Sequence, residues 1–355
     1  MEKRVLIPGA GGPGAVNLTR SLQAAPEKIF TVGMDASPFY IHLALTDERV
    51  LVPRADEETR YIKAVKRIIK KYGINFIMPN SSIEMEVLTR HSEELGAMTF
   101  LPSLRTQQIA ASKYKTWKTW SKMGIPVPQT MVIETKEDVE KAFDLISTRP
   151  IWFRGAGIPG KGIGGAQLPC KNVRQATGWV DFHNGWGNFL ASEFLPGRNL
   201  TFLGIYDHGH LVMSQGRQRD AYVIPHVNPA GITGAPAISH TIHDTFLNDL
   251  GEQATLAINP EFTGAGFVDF KMTEDGRALP TELNAGRFGT THHFYTTAGA
   301  NFPYCLLKLA FGEPLPDYVR THNVLLEGLY WIRTLDAGPV LVAEQDMDSG
   351  IWNLK

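Results

Sequence analysis

The stretch Gly266–Arg287, GFVDFKMTEDGRALPTELNAGR, decides how the rest of the chain reads. Phe267 to Lys271 is strand-like in its Val and Phe content, and Arg277 to Asn284 is a second extended run. Between them, Asp275-Gly276 is the dipeptide favoured in a two-residue primed hairpin turn. A turn on those two residues sets Asp269 directly opposite Glu282. Strand side chains alternate faces, so Asn284 shares the face of Glu282. Two acids and an amide then converge as an all-oxygen ligand set, which suits a hard cation such as magnesium held alongside substrate phosphates.

Outward from the hairpin, the chain of 355 residues has room for two or three compact units. A net charge of −1 predicts no nucleic-acid partner and no attraction to an anionic membrane. The two cysteines, Cys170 and Cys305, are too few for a disulfide framework and too far apart for a thiolate metal site, which predicts a reducing compartment. The N-terminal run MEKRVLIPGAGG breaks at Pro8 and lacks a secretory apolar core, and no run of about 18 apolar residues occurs. The expectation is a cytoplasmic chain with no membrane partner.

The first hundred residues alternate strand and helix. Arg4 to Ile7, Phe30 to Met34 and Asn75 to Met78 read as strands. Glu57 to Tyr72 reads as an amphipathic helix, with Ile62, Val65, Ile68 and Ile69 inward and its lysines outward. This βαβ rhythm predicts an α/β fold that opens with a doubly wound parallel sheet. Ser112 to Met123 and Lys136 to Ile146 read as helices, and Ile151 to Phe153 as a strand. Leu200 to Tyr206 and Leu211 to Gln215 form a hairpin around Asp207-His208-Gly209, followed by a polar loop from Gly216 to about Ala237.

Two glycine-rich turns are candidates for phosphate. Gly9, Gly11 and Gly14 have the GxGxxG spacing between a strand and a helix, and Asp35 follows Gly14 by 21 residues, as in a dinucleotide fingerprint. Packing glycines give the same letters, since a tight turn needs them as well. The second turn spans Gly155 to Gly165, entered by Arg154 and carrying Gly160, Lys161, Gly162 and Gly164. It has no GK[ST] ending. Its amides and cations can close over phosphates as a lid.

The order of these parts is more specific than any one of them. An N-terminal doubly wound unit is followed by ASKYKTWKTWSKMGIPVP, a cationic strand into a glycine loop, SEFLPGRNLTF, and last VDF…ELNAGR. From about Val5 to Pro314 that order resembles the ATP-grasp superfamily, in its carbamoyl-phosphate-synthetase-like branch. The resemblance implies a pre-ATP-grasp domain over 1–105, a small lid subdomain over 106–190 and a large subdomain over 191–355. It implies that ATP lies between the two later subdomains, with Lys113 and Arg154 on its phosphates, the loop of Gly160, Lys161, Gly162 and Gly164 as the flap, and Glu193, Phe194 and Leu195 at adenine. Asn199 stands where relatives often place a ribose acid. Asp269 and Glu282, thirteen positions apart, match the magnesium carboxylates. Glu282 bridges two ions, Asn284 joins the second, and manganese is able to stand in. Arg287 resembles the arginine that steadies the transferring phosphoryl group, although relatives often place it one residue nearer the Asn. The glycine turn with Gly11 and Gly12, and the loop with Ser81, Ser82 and Glu84, then edge the acceptor pocket.

The implied reaction is ATP-dependent joining of a small-molecule carboxylate and an amine through an acyl phosphate. Arg219, Arg217 or Arg287 faces the tetrahedral intermediate, and the resemblance implies a homodimer, as relatives often are. Two other readings stand beside it: activation of bicarbonate or carbamate, and a nicotinamide-dependent oxidoreductase using the N-terminal glycines.

Overall fold

Val5, Leu6 and Ile7 are fully buried, as an inner strand covered on both faces requires. They belong to β1 (Lys3–Pro8), which with β2 (Ile29–Asp35), β3 (Glu48–Leu51) and β4 (Phe76–Ile77) forms a parallel sheet in the order β3-β2-β1-β4. The helix Glu58–Tyr72 buries Tyr61, Ile62, Val65, Ile68 and Ile69 on this sheet and stops at Gly73, whose left-handed backbone caps it. The structure, a computed structural model, describes residues 2–157, 166–228, 231, 236–335 and 340–346.

A second sheet is antiparallel. It contains β5 (Thr130–Ile133), β6 (Ile151–Gly155), β7 (Gln167–Cys170) and β8 (Phe189–Ser192), in the order β5-β8-β6-β7. The helices Lys136–Leu145 and Val173–Phe182 bury Val139, Ala142, Ala176 and Val180 against Ile133, Phe153 and Phe189. Asp138 closes a capping box with Thr135 at the start of the first of them.

The third sheet is antiparallel and has seven described strands: β9 (Asn199–Asp207), β10 (His210–Tyr222), β11 (Pro236–Ile242), β12 (Gly264–Met272), β13 (Ala278–Ala285), β14 (Leu329–Ile332) and β15 (Val340–Ala343). Their order is β13-β12-β9-β10-β11-β14-β15. Alternation gives the sheet two characters. Leu200, Phe202, Val268, Phe270 and Leu283 pack under the helix Thr245–Ile258. The intervening residues, Thr201, Asp269 and Glu282 among them, face the other way. Farther along that second face, Leu203, Ile205 and Met213 join Val5, Ile7 and Leu18 of the N-terminal unit in one core.

Two local expectations are corrected. The run from Gly216 to Ala237 is not all loop: β10 continues to Tyr222, and β11 begins at Pro236. Arg217 and Arg219 made this run look solvated, yet Arg217 is buried and Arg219 nearly so, on a polar sheet face. The hairpin turn is also not a two-residue one. Thr273 N–H donates to the Arg277 carbonyl (2.9 Å) around a three-residue loop, with Gly276 at φ +87. That pairs Phe270 with Pro280, one residue off the expected register, and a bulge at Thr281 restores it, so that Asp269 does face Glu282. Pro280 has no N–H to continue the ladder and lies on the edge strand, where such a bulge is tolerated.

Just beyond β13, Gly286 has φ +77, and a Cβ there would lie 2.1 Å from Met85 Sδ of the N-terminal unit. Gly286→Ala is expected to lower the unfolding free energy by about 1–3 kcal/mol, from left-handed strain plus displacement of Met85, read as a lower urea midpoint at unchanged m-value.

Candidate active site

Register assembles the site as two adjacent rows across the large sheet. One row runs Glu282, Asp269, Thr201, Arg217 on β13, β12, β9 and β10. The next runs Lys271, Asn199, Arg219, Ser239 on β12, β9, β10 and β11. Residues two apart on a strand share a face, so both rows look the same way.

Asp269 is held from two sides. Thr201 Oγ1 donates to its Oδ1 at 3.0 Å. Arg219 grips it with both terminal nitrogens, Nη2 at 3.2 Å from Oδ1 and Nη1 at 3.4 Å from Oδ2. Glu282 Oε1 lies 3.6 Å from Lys113 Nζ. Lys113 is the first residue of the helix Lys113–Lys122, whose Ser112 cap accepts from the Lys115 N–H. Arg154 comes from β6 in the small sheet and is buried. Its Nη1 donates to the Thr281 carbonyl at 3.2 Å, so the bulge that restores the hairpin register also ties the two antiparallel sheets together.

These groups line a cleft of about 350 Å³, with Trp152, Phe194 and Leu195 as its apolar walls. Burial pushes the Glu282 carboxyl up, but the charges of Lys113, Arg154, Arg287 and Arg219 outweigh that and hold it below the usual carboxylate range. Burial pulls Arg154 down against the opposing pull of Glu282. At the hinge, Glu193 N–H donates to the Gln129 carbonyl (2.8 Å) and Phe194 N–H to Thr148 Oγ1 (2.9 Å). The Leu195 N–H makes no hydrogen bond among the described residues.

Of the expected site residues, Lys113, Arg154, Glu193, Phe194, Leu195, Asn199, Arg219, Asp269 and Glu282 come together around this cleft. Asn284 does not line it: the amide is buried, and its Oδ1 accepts from Arg287 Nη2. Arg217 is buried beside the site and donates to Thr291 Oγ1. Gly160, Lys161, Gly162 and Gly164 lie outside the described residues. Gly11, Gly12, Ser81, Ser82 and Glu84 form a separate edge on the N-terminal unit. Gly11 N–H donates to Asp35 Oδ2 (3.0 Å), and Gly12 N–H to the Gly9 carbonyl (2.9 Å). Ser81 and Ser82 open the helix Ser82–Arg90. Glu84 sits in it, half-buried, accepting from Tyr61 Oη at 3.2 Å, and burial raises its carboxyl to about 7.

The glycine turn is filled by the chain itself. A Cβ on Gly11 would lie 1.9 Å from the Tyr40 carbonyl oxygen, and one on Gly14 1.8 Å from Asn80 Nδ2. Its glycines serve close packing, and Asp35 is spent on the Gly11 and Ser37 amides rather than open to a ribose.

Sequence reasoning missed Thr201, Tyr222, Thr281 and Lys271. Lys271 carried a usable signal, since it stands two residues after Asp269 on the same strand face. The other three follow only from register and from the bulge.

No family model matches the chain. Over 281 residues it is 22% identical to a carbamoyl-phosphate synthase of Methanobrevibacter smithii, across 77% of this chain and 72% of that protein. It superposes on the L-amino acid ligase from Bacillus licheniformis with a TM-score of 0.67 at 14% identity, covering 93% of this chain and 79% of that one. It also superposes on the biotin carboxylase domain of Hydrogenobacter thermophilus 2-oxoglutarate carboxylase, solved as a dimer with MgADP, ADP and bicarbonate. There the TM-score is 0.68 at 16% identity, covering 93% and 74%. The fold they share is the ATP-grasp fold, and this chain has it. In sequence, the similarity found is to the carbamoyl-phosphate synthase. No helix of the described residues is long and apolar enough to cross a membrane.

Proposed function

We propose that the chain is an ATP-dependent carboxylate–amine ligase working through an acyl phosphate. The observation that carries this is the Asp269–Glu282 pair at the wall of a cleft that also holds Lys113, Arg154 and Arg219. The two carboxylates are an all-oxygen donor set that fits magnesium, which supplies charge neutralisation on phosphates when bound. The full reading would have two ions, held by Asp269, Glu282 and Asn284, with manganese able to stand in.

Lys113 and Arg154 bind the phosphates, and Gly160, Lys161, Gly162 and Gly164, outside the described residues, are assigned to the same phosphates. Leu195 N–H meets adenine beside Glu193 and Phe194, and Asn199 meets the ribose. A carboxylate oxygen attacks the γ-phosphorus, and the bond to ADP breaks. The amine nitrogen then attacks the acyl carbon, loses a proton, and phosphate leaves. Arg219 or Arg287 stabilises the charge that develops on oxygen, and Arg217 meets substrate. Gly11, Gly12, Ser81, Ser82 and Glu84 edge the acceptor side. The units are 1–105, 106–190 and 191–355, with β8 running two residues past the second boundary. We further propose a cytoplasmic enzyme of small-molecule substrates, in keeping with two free buried cysteines, and a homodimer.

A thermal-shift comparison tests the class. Mg-ATP or Mg-ADP is expected to raise the melting temperature, and NAD to leave it unchanged. Stabilisation by NAD alone would overturn the ligase in favour of the oxidoreductase. The sequence match favours one second reading, activation of bicarbonate or carbamate, for which carbamoyl phosphate formed from bicarbonate and ammonia is the signature.

Lys271 adds a pH dependence. It lines the cleft, and burial, then the Arg219 charge, lower its ammonium to about 8. The charge is present below that value and lost above it. Mg-ATP affinity should therefore weaken as pH rises through about 8, and Lys271→Met should flatten that limb of a Kd–pH profile.

A further inference from the structure

Behind Asp269, five buried polar atoms find no partner among the described residues: Arg217 Nε, Arg219 Nε, Ser239 Oγ and the hydroxyls of Tyr222 and Tyr295. Leaving such an atom unpaired costs stability, so several in one place mark where a partner binds. Four of them come from adjoining positions of two strands, and the Tyr295 hydroxyl from the helix His293–Thr297, which follows the Thr291 that Arg217 bonds. Arg217 and Arg219 share a face of β10, Ser239 lies opposite Arg219 on β11, and Tyr222 ends β10. The charges of Arg217 and Arg219 both act on both tyrosines. Tyr222 also lines the cleft, so the patch adjoins the chemistry.

The patch has the chemistry of an oxyanion site. Both free arginine atoms are N–H donors, and the three hydroxyls can donate. Arg219 is already paired with Asp269, but Arg217 has no acid partner among the described residues, only the Thr291 hydroxyl. Arg217 stands apart from the reacting centre. In the row Glu282, Asp269, Thr201, Arg217 it lies two strands from Asp269 and three from Glu282, and its hydrogen bond goes to Thr291 rather than to either acid. A carboxylate in line with the γ-phosphate sits by both acids, so Arg217 is placed for a different one.

We propose that Arg217, Tyr222, Tyr295 and Ser239 hold a substrate carboxylate other than the one that is activated. This rests on the ligase reading. It makes one substrate a molecule with a non-reacting carboxylate: an amino acid serving as the amine, or a dicarboxylic acid serving as the acid.

The test is phosphate release by the full chain with Mg-ATP and three panels. The first is the twenty common amino acids in pairs, the second is succinate or glutarate with methylamine, and the third is acetate or bicarbonate with methylamine or ammonia. Release is expected in the first or second panel, which separates the two sources, and not in the third. Tyr222→Phe and Tyr295→Phe should each raise KM for the carboxylate-bearing substrate about tenfold, and Tyr295→Phe, outside the cleft lining, should leave KM for ATP unchanged. Melting temperatures should hold or rise, because the deleted hydroxyls have no protein partner. Equal release in the third panel, an unmoved KM in the double variant, or no release in any panel while Mg-ATP still stabilises the protein overturns the inference. Absence of stabilisation by Mg-ATP overturns the ligase reading itself.

Discussion

Glu282→Gln is expected to lower ATP-dependent phosphate release by roughly 10³-fold, the scale seen when one preorganised electrostatic group is removed from a transition state. The substitution keeps size and shape but exchanges a ligand oxygen for an N–H donor. It also removes the one carboxylate whose ionisation four cations support, Lys113, Arg154, Arg287 and Arg219. Those cations would then repel one another and any bound cation. The fold should tolerate the change, because the Glu282 side chain is about a third exposed at the cleft and Lys113 contacts it only at 3.6 Å. Single-turnover phosphate release together with a urea melt separates the two effects, and a variant as active as wild type would sink the assignment of this cleft. The direction of the shift also sets the pH behaviour. A carboxyl held below its usual range keeps its charge at neutral pH. Its contributions to stability and to activity are complete above the unfolded-state value and are lost only as pH falls through the lower folded-state value.

Trp120→Ala is expected to destabilise the chain by about 4 kcal/mol, the range for deleting a buried aromatic side chain from a packed core. Trp120 is one of the largest fully buried side chains, and its Nε1 donates to the Ala254 carbonyl at 2.7 Å. That bond and its packing fasten the helix Lys113–Lys122 to the helix Thr245–Ile258, which in turn lies under β12 and β13. The same helix carries Lys113, so its anchorage also fixes where that cation meets Glu282. Trp120→Phe keeps most of the apolar volume and loses the hydrogen bond, and should cost less than half as much. Urea midpoints read both. A loss under about 1 kcal/mol for the alanine variant would show that this helix is held by something other than Trp120.

The hairpin shows how far local sequence reaches. Alternation of Val268, Phe270 and Leu283 against Asp269 and Glu282 is written in the strands themselves, because a side chain points up or down by its position alone. The facing of the two acids was legible for that reason. The path to it was not: the loop has one residue more than the Asp275-Gly276 dipeptide suggests, and the bulge at Thr281 cancels the slip. A bulge is chosen by what the freed carbonyl can bond, and here that is Arg154, more than a hundred residues away.

By itself, then, the sequence determined the parallel N-terminal sheet and the inward and outward alternation of the strands that carry Asp269 and Glu282, which follow from periodicity within short windows, while the hinge was legible only through the resemblance in motif order. Tertiary structure alone decided that Arg219 grips Asp269, that Arg287 takes Asn284, that the N-terminal glycines are packed shut by Tyr40 and Asn80, and that two tyrosines gather beside Arg217. The physical reason is that cross-strand neighbours in a seven-stranded sheet come from segments far apart in the chain. Their register is set by packing on the helix Thr245–Ile258 and on the N-terminal unit, and no local pattern encodes it.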